Sequence, residues 1–73
     1  MATLKKKREL HYLELHAQFV VGLIEERFMT RQQAVDFLNS EEGFKTIYGK
    51  EWQASNLEKF LIKAKAYLVG EYE

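Results

Sequence analysis

The side chains with the widest chemical repertoire here are His11 and His16, and their spacing argues against joint chemistry. Five residues apart on a helix, they point ~140° away from each other. Helical metal-ligand pairs sit at i, i+3 or i, i+4. His11 and Glu14 have that spacing but lack a third ligand on their face. His11 therefore reads as a solvated side chain, and His16 as a partly buried one with a hydrogen-bond partner. Without cysteine there is no thiol nucleophile, thiolate ligand or disulfide. No serine lies near a histidine in the sequence. The adjacent pairs Glu25-Glu26 and Glu41-Glu42 diverge on a helix and make no acid/base dyad. The glycines are scattered at positions 22, 43, 49 and 70, so no phosphate-cradling loop exists. The expectation is a protein that is not an enzyme and that has no catalytic, cofactor or metal site.

Charge offers a second kind of chemistry. Lys5-Lys6-Lys7-Arg8 is the only dense basic run. It lies at the N-terminal end of the first expected helix, where positive charge opposes the helix dipole. Three readings fit: a flexible basic arm over residues 1–7, a phosphate-contacting arm, or the partner of acidic residues elsewhere. Lys59 and Lys63, four apart, read as the solvated side of the last helix. The stretch Thr30-Arg31-Gln32-Gln33-Ala34-Val35-Asp36-Phe37-Leu38 resembles the first helix of excisionase-type DNA readers. That resemblance covers nine residues and implies a second helix, after it, that reads a groove. The residues after Ser40 depart from the pattern, because Glu41-Glu42 and Gly43 stand where basic or amide side chains belong. The candidate nucleic-acid contacts are Lys5, Lys6, Lys7 and Arg8, with Lys45 and Lys50 in the helix-turn-helix-like 30–50 segment.

The elements that must position these residues are helical. Helix 1 is expected from Arg8 to Met29. With successive residues ~100° apart, it carries two apolar stripes. Leu10, Leu13, Ala17, Val20, Val21, Ile24 and Phe28 form the first, and Tyr12, Leu15, Phe19 and Leu23 the second. A surface helix ordinarily has one such stripe, so helix 1 needs cover on two sides. Thr30 and Gln33 form a capping box that opens helix 2, Arg31 to Asn39. Ser40 is expected to cap a short helical segment from Glu41 to Tyr48. Ser55 and Glu58 are expected to form a second box, opening a last helix from Asn56 to Val69 with the stripe Leu57, Phe60, Leu61, Ala64, Tyr67 and Leu68. Gly70 should end it and leave Glu71, Tyr72 and Glu73 frayed. Trp52, the only tryptophan, is expected to plug one end of the bundle.

The chain of 73 residues opens on Met1, is read as complete, and has room for one domain. Its 47% apolar content is that of a folded protein, and eleven basic against eleven acidic residues give no net charge. A dedicated nucleic-acid binder is more often basic overall. The longest nonpolar run, Phe19 to Ile24, is far shorter than the ~20 residues of a spanning helix, and no signal-peptide core succeeds the basic run. A cytoplasmic, membrane-independent protein is expected. The fold class is all-α, a small bundle of three main helices plus a short helical segment, with helix 1 central. Domains this small are marginally stable alone, and oligomerisation is the helper this sequence leaves open. The expected function is that of a non-catalytic interaction or regulatory protein acting as a homodimer or with another helical protein. Arg8, Tyr12, Leu15, Phe19, Leu23 and Glu26 are the interface in an antiparallel pairing of helix 1. The alternative is a DNA- or RNA-binding accessory protein using the basic arm.

Overall fold

The computed structural model describes residues 4–72, and over them the chain is all-α. Its helices are α1 (Leu4–Glu25), α2 (Arg31–Asn39) and α3 (Ala54–Leu68), and each touches both others. Buried apolar side chains of all three form the core: Leu13, Ala17, Val20, Val21 and Leu23 from α1, Ala34, Val35 and Leu38 from α2, Leu57, Leu61 and Ala64 from α3. Trp52, 3% exposed, joins them from outside any helix. The ion pairs show how α3 sits on α1. Lys63 reaches Glu9 and Lys65 reaches Glu25. Two residues apart, these lysines point nearly opposite ways, while Glu9 and Glu25 are about 24 Å apart along α1. α3 therefore crosses α1 instead of lying along it, and the fully buried alanines Ala17 and Ala64 offer small side chains for close packing.

α2 has the expected bounds. The Thr30 N–H donates to Gln33 Oε1 (2.9 Å) and the Gln33 N–H to Thr30 Oγ1 (3.1 Å), which satisfies amides that have no intrahelical partner. The other boundaries correct the sequence reading. α1 starts and ends four residues earlier than Arg8 to Met29, so Lys5, Lys6, Lys7 and Arg8 are helical. Its end is set by a turn in which the Met29 N–H reaches the Leu23 carbonyl (3.0 Å) and Phe28 takes a positive φ of 57°. That turn swings Phe28 off the first stripe into solvent, 82% exposed, and Leu10 at the other end is exposed as well. α3 starts two residues early. The Gln53 N–H donates to Asn56 Oδ1 (2.7 Å), while Glu58 is paired with Arg31 and not with the Ser55 backbone. The tail is folded back, not frayed: Tyr72 donates to a Glu9 carboxylate oxygen, and the Lys6 ammonium lies 4.9 Å from its ring centroid. Glu73 lies outside the described residues.

The short helical segment expected from Glu41 to Tyr48 is turns and bends. Ser40 does not open a helix there. Its hydroxyl and N–H both return to the Phe37 carbonyl (2.6 and 3.1 Å), closing α2. Gly43 then passes so close to Leu38 that a Cβ would fall 2.1 Å from the Leu38 carbonyl oxygen, an approach open only to glycine. Beyond it the carbonyls of the segment serve tertiary partners. Phe44 accepts from Trp52 Nε1 (2.7 Å) and Lys45 from the Tyr12 hydroxyl (2.6 Å). With these carbonyls turned to distant partners, the segment forms no regular helical ladder.

Candidate functional site

Two surfaces stand out, one on each side of the aromatic cluster that joins α1 to the 40–53 segment. Phe44 is the hub of that cluster. Its ring stacks on His16 (4.0 Å between centroids) and lies near Tyr12, Phe19 and Trp52 (6.1–6.3 Å). His16 is half-buried, as its place between the stripes suggests, but its neighbours are rings, Phe44 and Tyr12, in place of the hydrogen-bond partner expected. Desolvation, with a smaller contribution from His11, holds its pKa below the usual histidine value.

The first surface is a pocket of about 230 Å³ between the N-terminal half of α1, the 46–52 segment and the start of α3. Its apolar walls are Tyr12, Leu13, Ile47, Tyr48, Trp52 and Phe60. Three elements position them. The Tyr12 hydroxyl is tied to Lys45, and burial pushes its pKa up to about 12, which keeps it neutral. Trp52 is held by Asn39, whose side chain accepts from the Trp52 N–H (2.7 Å) and donates to its carbonyl (3.0 Å). Ile47 and Tyr48 form the tip of a tight turn closed by Thr46 N–H to Lys50 carbonyl (2.9 Å) and Lys50 N–H to Thr46 Oγ1 (3.2 Å). Polar residues complete the lining: Lys50, Lys59 and Lys63, with Glu9, Thr46 and Asn56. Glu9 is already engaged. Tyr72 donates to one oxygen and Lys63 to the other (3.1 Å), and these bonds, Tyr72's first, outweigh burial and lower its pKa. The Tyr72 hydroxyl is pushed up to about 12, by burial and then by the Glu9 carboxylate.

The second surface is a strip of α1. Leu15 is 61% exposed and Phe19 43%, although Phe19 leans on Phe37 and Phe44. Gly22 lies on the same side, one turn beyond Phe19. A Cβ built there meets only the Glu26 side chain, at 3.9 Å. Arg8 and Glu26 are exposed at the two ends of the strip.

Of the interface residues expected from sequence, Arg8, Leu15, Phe19 and Glu26 are accessible. Leu23, 1% exposed, is core and cannot be reached, and Tyr12 is half covered by the 40–53 segment. Of the candidate nucleic-acid contacts, Lys5, Lys6, Lys7 and Arg8 are exposed on α1, and Lys45 and Lys50 lie on the segment whose Lys45 carbonyl accepts from Tyr12, but residues 40–50 contain no helix to enter a groove. Sequence reasoning missed the pocket. Lys59 and Lys63 read as an ordinary solvated face, and nothing in the sequence signalled that α1, the 46–50 turn and α3 would frame one cavity. Among the described residues no group of three or more His, Asp or Glu is placed to hold a metal ion, and no helix is long and apolar enough to cross a membrane.

The fold and these surfaces define the class only as a small all-α protein of three helices packed on one another. No family model matches the chain, and no curated protein or solved structure matches it either.

Proposed function

We propose that this chain is a non-catalytic interaction protein that acts as a homodimer through the Leu15–Phe19–Gly22 strip of α1. The observation that carries the reading is the pairing of exposed apolar side chains with an unexplained glycine. A glycine within a helix costs about 1 kcal/mol relative to alanine, and no close contact among the described residues requires Gly22 to lack a Cβ. A close-approaching partner gives that absence a use. Two-fold symmetry sets the same patch against itself. If two copies of α1 cross in opposite directions near Ala17 and Gln18, Leu15 of one meets Phe19 of the other. Gly22 comes opposite Tyr12, and Arg8 comes opposite Glu26. The apolar contacts supply most of the energy. The exposed ion pairs contribute about 0–1 kcal/mol each and favour the antiparallel direction.

Sedimentation by analytical ultracentrifugation tests this on wild type and Leu15→Glu. Leu15 is the better target because Phe19 touches its own fold. Wild type should sediment as a dimer at micromolar concentration and Leu15→Glu as a folded monomer. A wild type that stays monomeric over the whole range removes the proposal. The alternative, a nucleic-acid accessory protein, rests on the basic run at the start of α1, and salt-sensitive retention on heparin would favour it.

A further inference from the structure

We infer that the pocket between α1, the 46–52 turn and α3 binds a small carboxylate with an apolar body. The body sits against Tyr12, Ile47, Trp52 and Phe60 and the carboxylate faces Lys50 and Lys59. Three observations lead to that ligand class. First, the size fits. An apolar cavity of about 150 Å³ holds benzene, so about 230 Å³ suits one or two rings or a medium acyl chain, and is too small for a folded peptide element. Second, the walls are fixed before any ligand arrives. Hydrogen bonds hold the Tyr12 hydroxyl, the Trp52 indole and the Trp52 backbone within the protein, which fixes the two rings where they line the pocket. A preformed apolar pocket with a few convergent polar groups is the usual form of a small-molecule site.

Third, the charge at the pocket is one-sided. The lining holds three lysines and one acid. That acid, Glu9, is neutralised by Lys63 and bonded by Tyr72. Lys50 and Lys59 are exposed, and their ammonium groups make no ion pair among the described residues. Two such cations beside an apolar cavity select an anion over a neutral or cationic ligand of the same shape. A carboxylate suits them because it accepts several charge-assisted hydrogen bonds at once.

The protein carries its own reporter, since Trp52 is the sole tryptophan, buried, and part of the pocket wall. The full chain is titrated with octanoate, octanol and octylamine while Trp52 emission and amide NMR shifts are followed. Octanoate should change both saturably, with shifts centred on Tyr12, residues 46–50 and Phe60. Octanol should bind more weakly, and octylamine weakest. A parallel NMR titration with 2-naphthoate shows whether the body is better acyl or aromatic, and saturable binding of either carboxylate supports the site. The double variant Lys50→Ala/Lys59→Ala removes only exposed groups and should stay folded. It should bind octanoate about three- to tenfold more weakly and octanol unchanged, the size expected for exposed charge pairs. No saturable change with either carboxylate, octylamine binding as well as octanoate, or a double variant that does not discriminate overturns the inference.

Discussion

The two connections of this chain solve their backbone problems in different ways. The first, residues 26–30, is short and answers to local rules. It closes α1 with a backbone turn and opens α2 with the reciprocal Thr30–Gln33 bonds. It leaves Phe28 in a left-handed conformation with its ring in solvent. The second, residues 40–53, answers to distant partners. Asn39 clamps Trp52, Trp52 holds Phe44, and Tyr12 holds Lys45. A short loop can be satisfied by its own neighbours. A long one exposes too many backbone groups for that and is ordered only by the surface it lies on.

The largest test of this contrast is Trp52→Ala. It removes a buried ring and the donor to Phe44, and should cost about 3–5 kcal/mol. A domain of this length has roughly 4–11 kcal/mol in all, so thermal denaturation should show a midpoint lowered by about 12–40 °C. A well-folded Trp52→Ala protein with an unchanged midpoint would mean the long connection is not held from within. Asn39→Ala comes next. It leaves the Trp52 N–H and carbonyl unpaired in a part-buried place, and should cost about 1–3 kcal/mol by urea denaturation. Thr30→Ala probes the short connection and should cost about 0.5–2 kcal/mol, typically 1. Ser55→Ala, by contrast, should be near silent, because Ser55 is an exposed first-turn residue and no cap.

Phe28→Gly should act in the opposite direction. Relief of the left-handed conformation gains about 1–2 kcal/mol and the freer unfolded chain takes back about 0.5–1. The net is a stabilisation of about 0–1.5 kcal/mol, read as a higher melting temperature. A destabilised Phe28→Gly would show that the exposed ring makes contacts worth more than its strain. The smallest effect is one of pH. The His16 pKa is lower in the folded state, so its contribution is complete above the unfolded value near 6.5 and fades as pH falls through the folded one. Glu9, also lowered, adds a second loss below about 4.5. His16→Phe should remove the upper window of acid destabilisation and leave the lower one. Unchanged pH dependence below about 6.5 and above the carboxylate range would remove His16 as its source.

The same contrast decides how much was legible in the sequence. Thr30 and Gln33 announced α2 because both groups of the capping box lie within one turn. Ser55 and Glu58 made an equally good motif and misled, because Glu58 has a distant competitor in Arg31 and Asn56 serves the Gln53 amide. The exposure of Leu15 and Phe19 comes from a stripe that periodicity could display. The loss of Leu23 to the core does not, since nothing in a single helix says which stripe its neighbours will choose to cover. The pocket is the extreme case. Tyr12, Lys50, Trp52 and Lys59 each looked ordinary or isolated in sequence, and only the crossing of α3 over α1 gathers them.

The sequence alone determined the helical class, the absence of thiol chemistry, the helix over Arg31–Asn39 and the hydrophobic surplus of α1. Each depends on residue type or on spacings of a few residues, and such spacings are fixed by the helix itself. Tertiary structure decided the path of residues 40–53, the burial of Trp52, the division of the second stripe into covered and open parts, and the cavity beside Lys50 and Lys59. Those depend on which of several competing partners each polar group finds in space, and that is settled only when all three helices are in place.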